Sequence, residues 1–127
     1  MEFTSEILAS KVICKQSGRY IGWPSVTRTS ENELIAVFSG DRDAHVDPFG
    51  KTMLVRSTDN GKNWSTPEVI NDTPLDDRDA GVCAFPDGGI LVSWFTSHYE
   101  DYTPIWQGHA GKWGGADKEK ARWDAQL

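Results

Sequence analysis

The chain has 127 residues and a net charge of −6, with 25% of its residues charged and 38% hydrophobic. That length suffices for one domain with a modest core, and no apolar run is long enough to span a bilayer as a helix. The acidic balance argues against a nucleic-acid partner and against an anionic membrane surface, because each demands a basic patch.

The N-terminal stretch MEFTSEILASKVI lacks the charged first region and long apolar core of a secretory signal. The expected compartment is the cytoplasm if Met1 is the native start, and the periplasm or exterior if a signal has been removed. Short runs rich in β-branched and aromatic residues then recur between turn signals. They predict strands over residues 11–15, 25–28, 34–39, 52–56, 68–70, 81–85 and 90–95, joined by SEN, GDRDAHVDPFG, STDNGKNW, NDTPLDDRD and PDGG. Cys14 and Cys83 each lie in an apolar run without metal-ligand spacing, so two buried free thiols are expected. Near the end, ADKEKARW predicts a short helix with Asp117 as its N-cap.

A repeat emerges when the chain is aligned with itself. SVTRTSENELIAVFSG and GVCAFPDGGILVSWFT match Val26 with Val82, Leu34 with Ile90 and Ala36 with Val92. The offset of about 56 residues is near the period of a β-propeller blade of four antiparallel strands. The expected fold is therefore all-β, a β-propeller of four-stranded antiparallel blades. Blade 1 covers about residues 20–72, blade 2 begins over about 78–96, and an insertion occupies about 97–127. Because a propeller closes with four to eight blades, this one and a half reads as the N-terminal piece of a larger protein whose further blades follow. The rival is a small closed β domain that contains one such hairpin.

STDNGKNW fits the pattern Ser-x-Asp-x-Gly-x-x-Trp. Ser57 and Asp59 suit bonding to backbone N–H groups in a tight turn, Gly61 suits a positive φ, and Trp64 suits sealing the space beside a sheet. This is the Asp-box. The longer stretch from Gly22 to Ile70, GWPSVTRTSENELIAVFSGDRDAHVDPFGKTMLVRSTDNGKNWSTPEVI, resembles the opening blade of the sialidase superfamily of Asp-box or BNR-repeat proteins. DDRDAGVCAFPDGGILVSWF resembles the start of its next blade. The resemblance covers most of the chain between Arg19 and Phe95, and it makes the box a folding device rather than a catalytic one.

Up-and-down connectivity sorts the loops onto two faces. SEN, STDNGKNW and PDGG share one, and all are ordinary turn chemistry. The other receives GRYIGW, GDRDAHVDPFG, NDTPLDDRD and everything after Phe95. It gathers Arg19, Tyr20, Trp23, Asp41, Arg42, Asp43, His45, Asp47, Asp76, Asp77, Arg78 and Asp79. Arginine offers a planar fork matched to a carboxylate, and histidine titrates near neutrality. Candidate catalytic residues are His45, Asp43 and Asp47. Candidate substrate-binding residues are Arg19, Trp23, Arg42, Arg78 and Asp79.

The superfamily pattern is kept in part. Where sialidases carry Arg-Ile-Pro on the first strand, this chain has Gly22-Trp23-Pro24, with Arg19 three residues earlier. Arg42 matches the family's second-strand arginine, and Asp43 or Asp47 falls in the region of its general-acid aspartate. His45 is foreign to the sialidase pattern, whereas GDRDAHV resembles superfamily members that process uronate-containing polysaccharides by hydrolysis or β-elimination. The resemblance thus implies a carbohydrate-active enzyme cleaving an acidic or uronate-containing glycan, as exo-glycosidase or lyase, with this piece alone expected to be inactive. The alternatives are a non-catalytic glycan-binding or scaffolding propeller and a true exo-sialidase. No cofactor or metal is expected, since His98 and His109 match no recognised ligand spacing. Tyr99, Tyr102, Trp106, Trp113 and Trp123 in the insertion suit sugar stacking or core packing equally.

Overall fold

The computed structural model describes residues 4–47 and 50–97, together with Asp124 and Ala125. The fold is all-β and antiparallel: strands β1 (Tyr20–Arg28), β2 (Leu34–Arg42), β3 (Lys51–Ser57) and β4 (Glu68–Asn71) form one sheet in that order. Strands β5 (Asp76–Ala84) and β6 (Ile90–Ser97) form a second, two-stranded sheet. Six of the seven expected strands are present. The seventh, over residues 11–15, is not a strand: Val12 is 74% exposed, and only Cys14 reaches the core. Asp124 and Ala125 have helical backbone, while the helix expected around Asp117 and the aromatic residues of the insertion lie outside the described residues.

Both faces of β2 and β3 are covered, which explains why LIAVF reads as one apolar run rather than an alternation. One face buries Ile35, Val37 and Leu54 against Ala80, Val82 and Val92 of the second sheet. The other buries Ala36, Phe38, Met53 and Val55 beneath Cys14, Ile21 and Trp64. Docking of the second sheet also answers its edge problem. Val82 and Ala84 of β5 donate their backbone N–H groups to Ser25 Oγ (3.4 Å) and Thr27 Oγ1 (3.2 Å) of β1. Side-chain hydroxyls thereby satisfy donors that an open strand edge would leave to solvent.

Among the described residues, little covers the outer face of the second sheet. Leu91 is 55% exposed and Phe95 47%. Cys83 lies exposed beside them as a free thiol, correcting its expected burial; Cys14, also free, is half-buried.

The meander places the loops at two ends. At one, Ser57 Oγ accepts from Gly61 N (2.9 Å), Asp59 Oδ1 accepts from Asn63 N (2.8 Å), and Trp64 Nε1 donates to the Gly61 carbonyl (3.1 Å). Gly61 sits at φ 84°, where a Cβ would be strained. Arg28 reaches across to Asn60 Oδ1 at 2.6 Å, tying the β1–β2 turn to this box.

Candidate functional site

The opposite end begins with three β-bulges. The β1–β2 register slips around Trp23 and again around Asp41, and the β5–β6 register slips around Asp79. Each bulge carries one non-glycine residue at positive φ: Trp23 at 53°, Asp41 at 53° and Asp79 at 50°. Such a conformation is uncommon for aspartate and a genuine outlier for tryptophan. Bulges re-aim side chains and gather beside functional sites, and strain held by the surrounding structure does the same. Asp79 is held by its backbone N–H, which donates to Ser39 Oγ at 3.0 Å.

Beneath the bulges lies a buried ion pair. Arg42 and Asp76 are both fully enclosed, and Arg42 Nη2 donates to Asp76 Oδ1. Nη2 also donates to the His45 carbonyl (3.0 Å), while Nη1 donates to the Asp77 carbonyl (3.1 Å) and Nε to that of Ala44 (3.4 Å). Burial pushes the Asp76 carboxyl up to about 6, against the opposing pull of Arg42 and Arg78. Arg78 Nη1 approaches Asp76 Oδ2 at 3.7 Å, and Asp47 N donates to the same oxygen at 3.3 Å. Gly50 closes the cradle: a Cβ there would lie 2.6 Å from Asp76 Oδ1 and 2.7 Å from Arg42 Cζ. Asp77, also buried, accepts from Thr73 N (2.7 Å) and Thr96 Oγ1 (2.7 Å), which pins the β4–β5 loop to β6.

Above this pair, side chains from four separate segments converge: β1, the loop after β2, β5 and β6. Arg78 Cζ stands 4.7 Å over the Trp23 ring and 5.9 Å from the Phe95 ring. The exposed His45 ring meets Trp23 edge-on with centroids 4.9 Å apart. Its Nε2 is 3.3 Å from Arg78 Nη2 and its Nδ1 is 3.3 Å from Tyr20 Oη. A guanidinium only donates, so Nε2 accepts and the ring is neutral, with its proton on Nδ1 directed at the tyrosine oxygen. The same environment lowers the His45 pKa below its ordinary 6.5: partial burial contributes most, then Arg78 and Arg42, while Asp79 opposes them. A neutral imidazole with a defined tautomer is what a general base requires at neutral pH.

The remaining candidates are placed differently. Asp47 is fully buried, and its carboxylate accepts from Asp43 N at 2.6 Å, so it shapes the loop that carries His45. Asp43 is exposed and paired with Arg19, which also contacts Asp41 at 3.2 Å. Arg42 turns its guanidinium inward. His45, Trp23 and Arg78 are brought together, with Asp79 close enough to act on the imidazole charge. Tyr20 and Asp76 complete the group. Both belong to the polar face read from the sequence, but their roles depend on contacts across 25 and 34 positions of chain. Among the described residues, no group of His, Cys, Asp and Glu is arranged to hold a metal ion.

Comparison with protein-family models, with curated proteins and with solved structures gave no match for the chain.

Proposed function

We propose that this chain forms the opening blades of a sialidase-like β-propeller that cleaves an acidic or uronate-containing glycan, with His45 as the proton carrier. The observation that carries the reading is the meeting of Tyr20, Trp23, His45 and Arg78 at the bulged end of the strands. Trp23 offers an apolar surface to a sugar ring, Arg78 a fork for a carboxylate, and His45 an acceptor for a proton. In an elimination, Arg78 neutralises the uronate carboxylate and His45 removes the adjacent carbon-bound proton. In a hydrolysis, His45 or Asp79 moves the proton at the glycosidic oxygen. Gly22-Trp23-Pro24, in place of the sialidase arginine, favours a uronate over sialic acid.

The propeller rests on a quasi-translation. The face bearing Ile35 and Val37 is covered by Ala80 and Val82 of the next sheet. The repeat-equivalent positions on that next sheet, Leu91 and Ser93, lie on its open face. A further sheet of the same build would cover them as the second covers the first.

The test is an assay of the full-length protein on a panel of acidic and neutral oligosaccharides, following both new reducing ends and unsaturated uronate. Turnover confined to acidic substrates is expected. His45→Ala should lower kcat by roughly 10²–10⁴-fold with little loss of stability, as for a positioned acid–base group. Binding without turnover across the whole panel would replace this reading with that of a glycan-binding propeller.

A further inference from the structure

We propose that Arg78 and His45 form a carboxylate-binding pair whose occupation takes up one proton, with Tyr20 as the positioning residue for the imidazole. This rests on the acidic-glycan reading in its hydrolytic form and adds to it a coupling between ligand and proton; an elimination would need the bound imidazole neutral. In the structure, Arg78 Nη2 donates to His45 Nε2, and Nδ1–H faces Tyr20 Oη, each over 3.3 Å. A protonated ring would turn Nε2 into a donor facing a donor, so this contact and the imidazolium exclude one another. A carboxylate inserted between the two side chains removes the conflict. Arg78 Nη2–H then donates to one oxygen, Nε2–H donates to the other, and Nδ1–H stays on Tyr20. The added proton comes from solvent and returns there when the ligand leaves.

His45 is the part that moves. It is exposed on the loop after β2, whereas Arg78 is 5% exposed, enclosed by Trp23, Phe95 and the imidazole itself. A neutral sugar hydroxyl or amide lacks the charge needed to hold two cations side by side, so the pair selects for carboxylates. Among the described residues, Tyr20 from β1, Arg42 from β2 and Arg78 and Asp79 from β5 act on the ring, with Asp76 behind the two arginines and Asp43 and Asp47 on its own loop. Asp76, pushed up to about 6, titrates in the same range, so the proton has to be followed at His45 itself.

The experiment follows the His45 Cε1–H resonance in the full-length protein during pH titrations with D-glucuronate or D-glucuronamide. Glucuronate should raise the His45 pKa, and its affinity should strengthen by up to about tenfold per pH unit as pH falls below the imidazole's ordinary value. Glucuronamide should do neither. His45→Gln should flatten the pH dependence of glucuronate binding, and Tyr20→Phe should shrink the pKa rise and, by linkage, the low-pH gain in affinity by the same factor. Glucuronate binding that leaves the His45 titration unmoved overturns the coupling and leaves the glycan reading standing. Glucuronate bound no better than glucuronamide overturns both.

Discussion

The two ends of the four-stranded sheet solve opposite problems with similar residue types. At the end that carries residues 57–64 the left-handed turn position belongs to Gly61, the acceptors Ser57 and Asp59 meet nearby N–H groups, and Trp64 covers one core face. Asn60, beside the glycine, is a residue that tolerates such a turn. At the other end, tryptophan and aspartates occupy left-handed positions, and a charged pair is wholly enclosed. The first arrangement is what stability alone selects. The second costs stability locally and gains a fixed geometry for exposed polar groups, the usual trade at functional sites.

The strongest way to break this contrast is to remove the buried partner at the costly end. Asp76→Ala removes the carboxyl that accepts from Arg42 and from the Asp47 backbone N–H and leaves those enclosed donors unsatisfied, which should cost about 3–5 kcal/mol in urea unfolding. A cost below about 1 kcal/mol, the range of surface pairs, would mean that the ion pair does not organise this end. Next in size is Trp64→Ala. Trp64 is only half-buried, so the loss should sit at the low end of aromatic truncations, about 3 kcal/mol. Binding of an acidic sugar at the distant bulged end should be unchanged. A loss of binding that matches the loss of stability would erase the distinction between the ends.

The cheap end was legible in the sequence and the costly end was not, for physical reasons. The box turn depends on residues within eight positions of one another, and LIAVF declares its own burial. β1, by contrast, starts at Tyr20 rather than near residue 25, because Gly22 and Pro24 read as breakers. On an edge strand the bulge at Trp23 absorbs them. β5 starts at Asp76 rather than near residue 81, because DDRD reads as solvated loop. The Asp76 and Asp77 carboxylates are inside because Arg42 and Thr96 supply donors from distant segments and Thr73 from four residues away, and no local pattern announces the two distant partners. The loop assignment to two ends followed from connectivity alone, which is why the convergence of His45, Trp23 and Arg78 was foreseeable as a neighbourhood but not as a set of contacts.

A smaller effect sharpens the contrast by reversing its sign. Asp79→Gly places glycine at φ 50°, where a side chain is strained, and keeps the backbone N–H that donates to Ser39. It should stabilise the protein by roughly 0.5–1 kcal/mol. The same change removes the carboxylate that opposes the lowering of the His45 pKa, so that pKa should fall further. A destabilised Asp79→Gly protein would show that the bulge carries no strain to relieve.

The smallest and most diagnostic difference lies in how the two ends answer acid. Asp59 is held down to about 2, chiefly by the Asn63 backbone N–H, then by the Asn63 side chain and Ser57. Its folded-state pKa is below the ordinary 3.8, so its contribution is complete above 3.8 and is lost as pH falls toward 2. Asp76 has the opposite sign. Burial raises it to about 6, so the folded state holds its proton more tightly than the unfolded chain does. Its ionised form therefore costs stability in full above 6, and that cost is relieved as pH falls from 6 to 3.8. Asparagine cannot titrate, which makes each variant a baseline for its own site. Wild-type stability measured against Asp76→Asn should rise as pH falls from 6 to 3.8. Measured against Asp59→Asn, it should stay level in that interval and drop below 3.8. Difference curves of the same sign would show that burial does not dominate the electrostatics of the bulged end, and that Arg42 and Arg78 hold Asp76 ionised as firmly as the box holds Asp59.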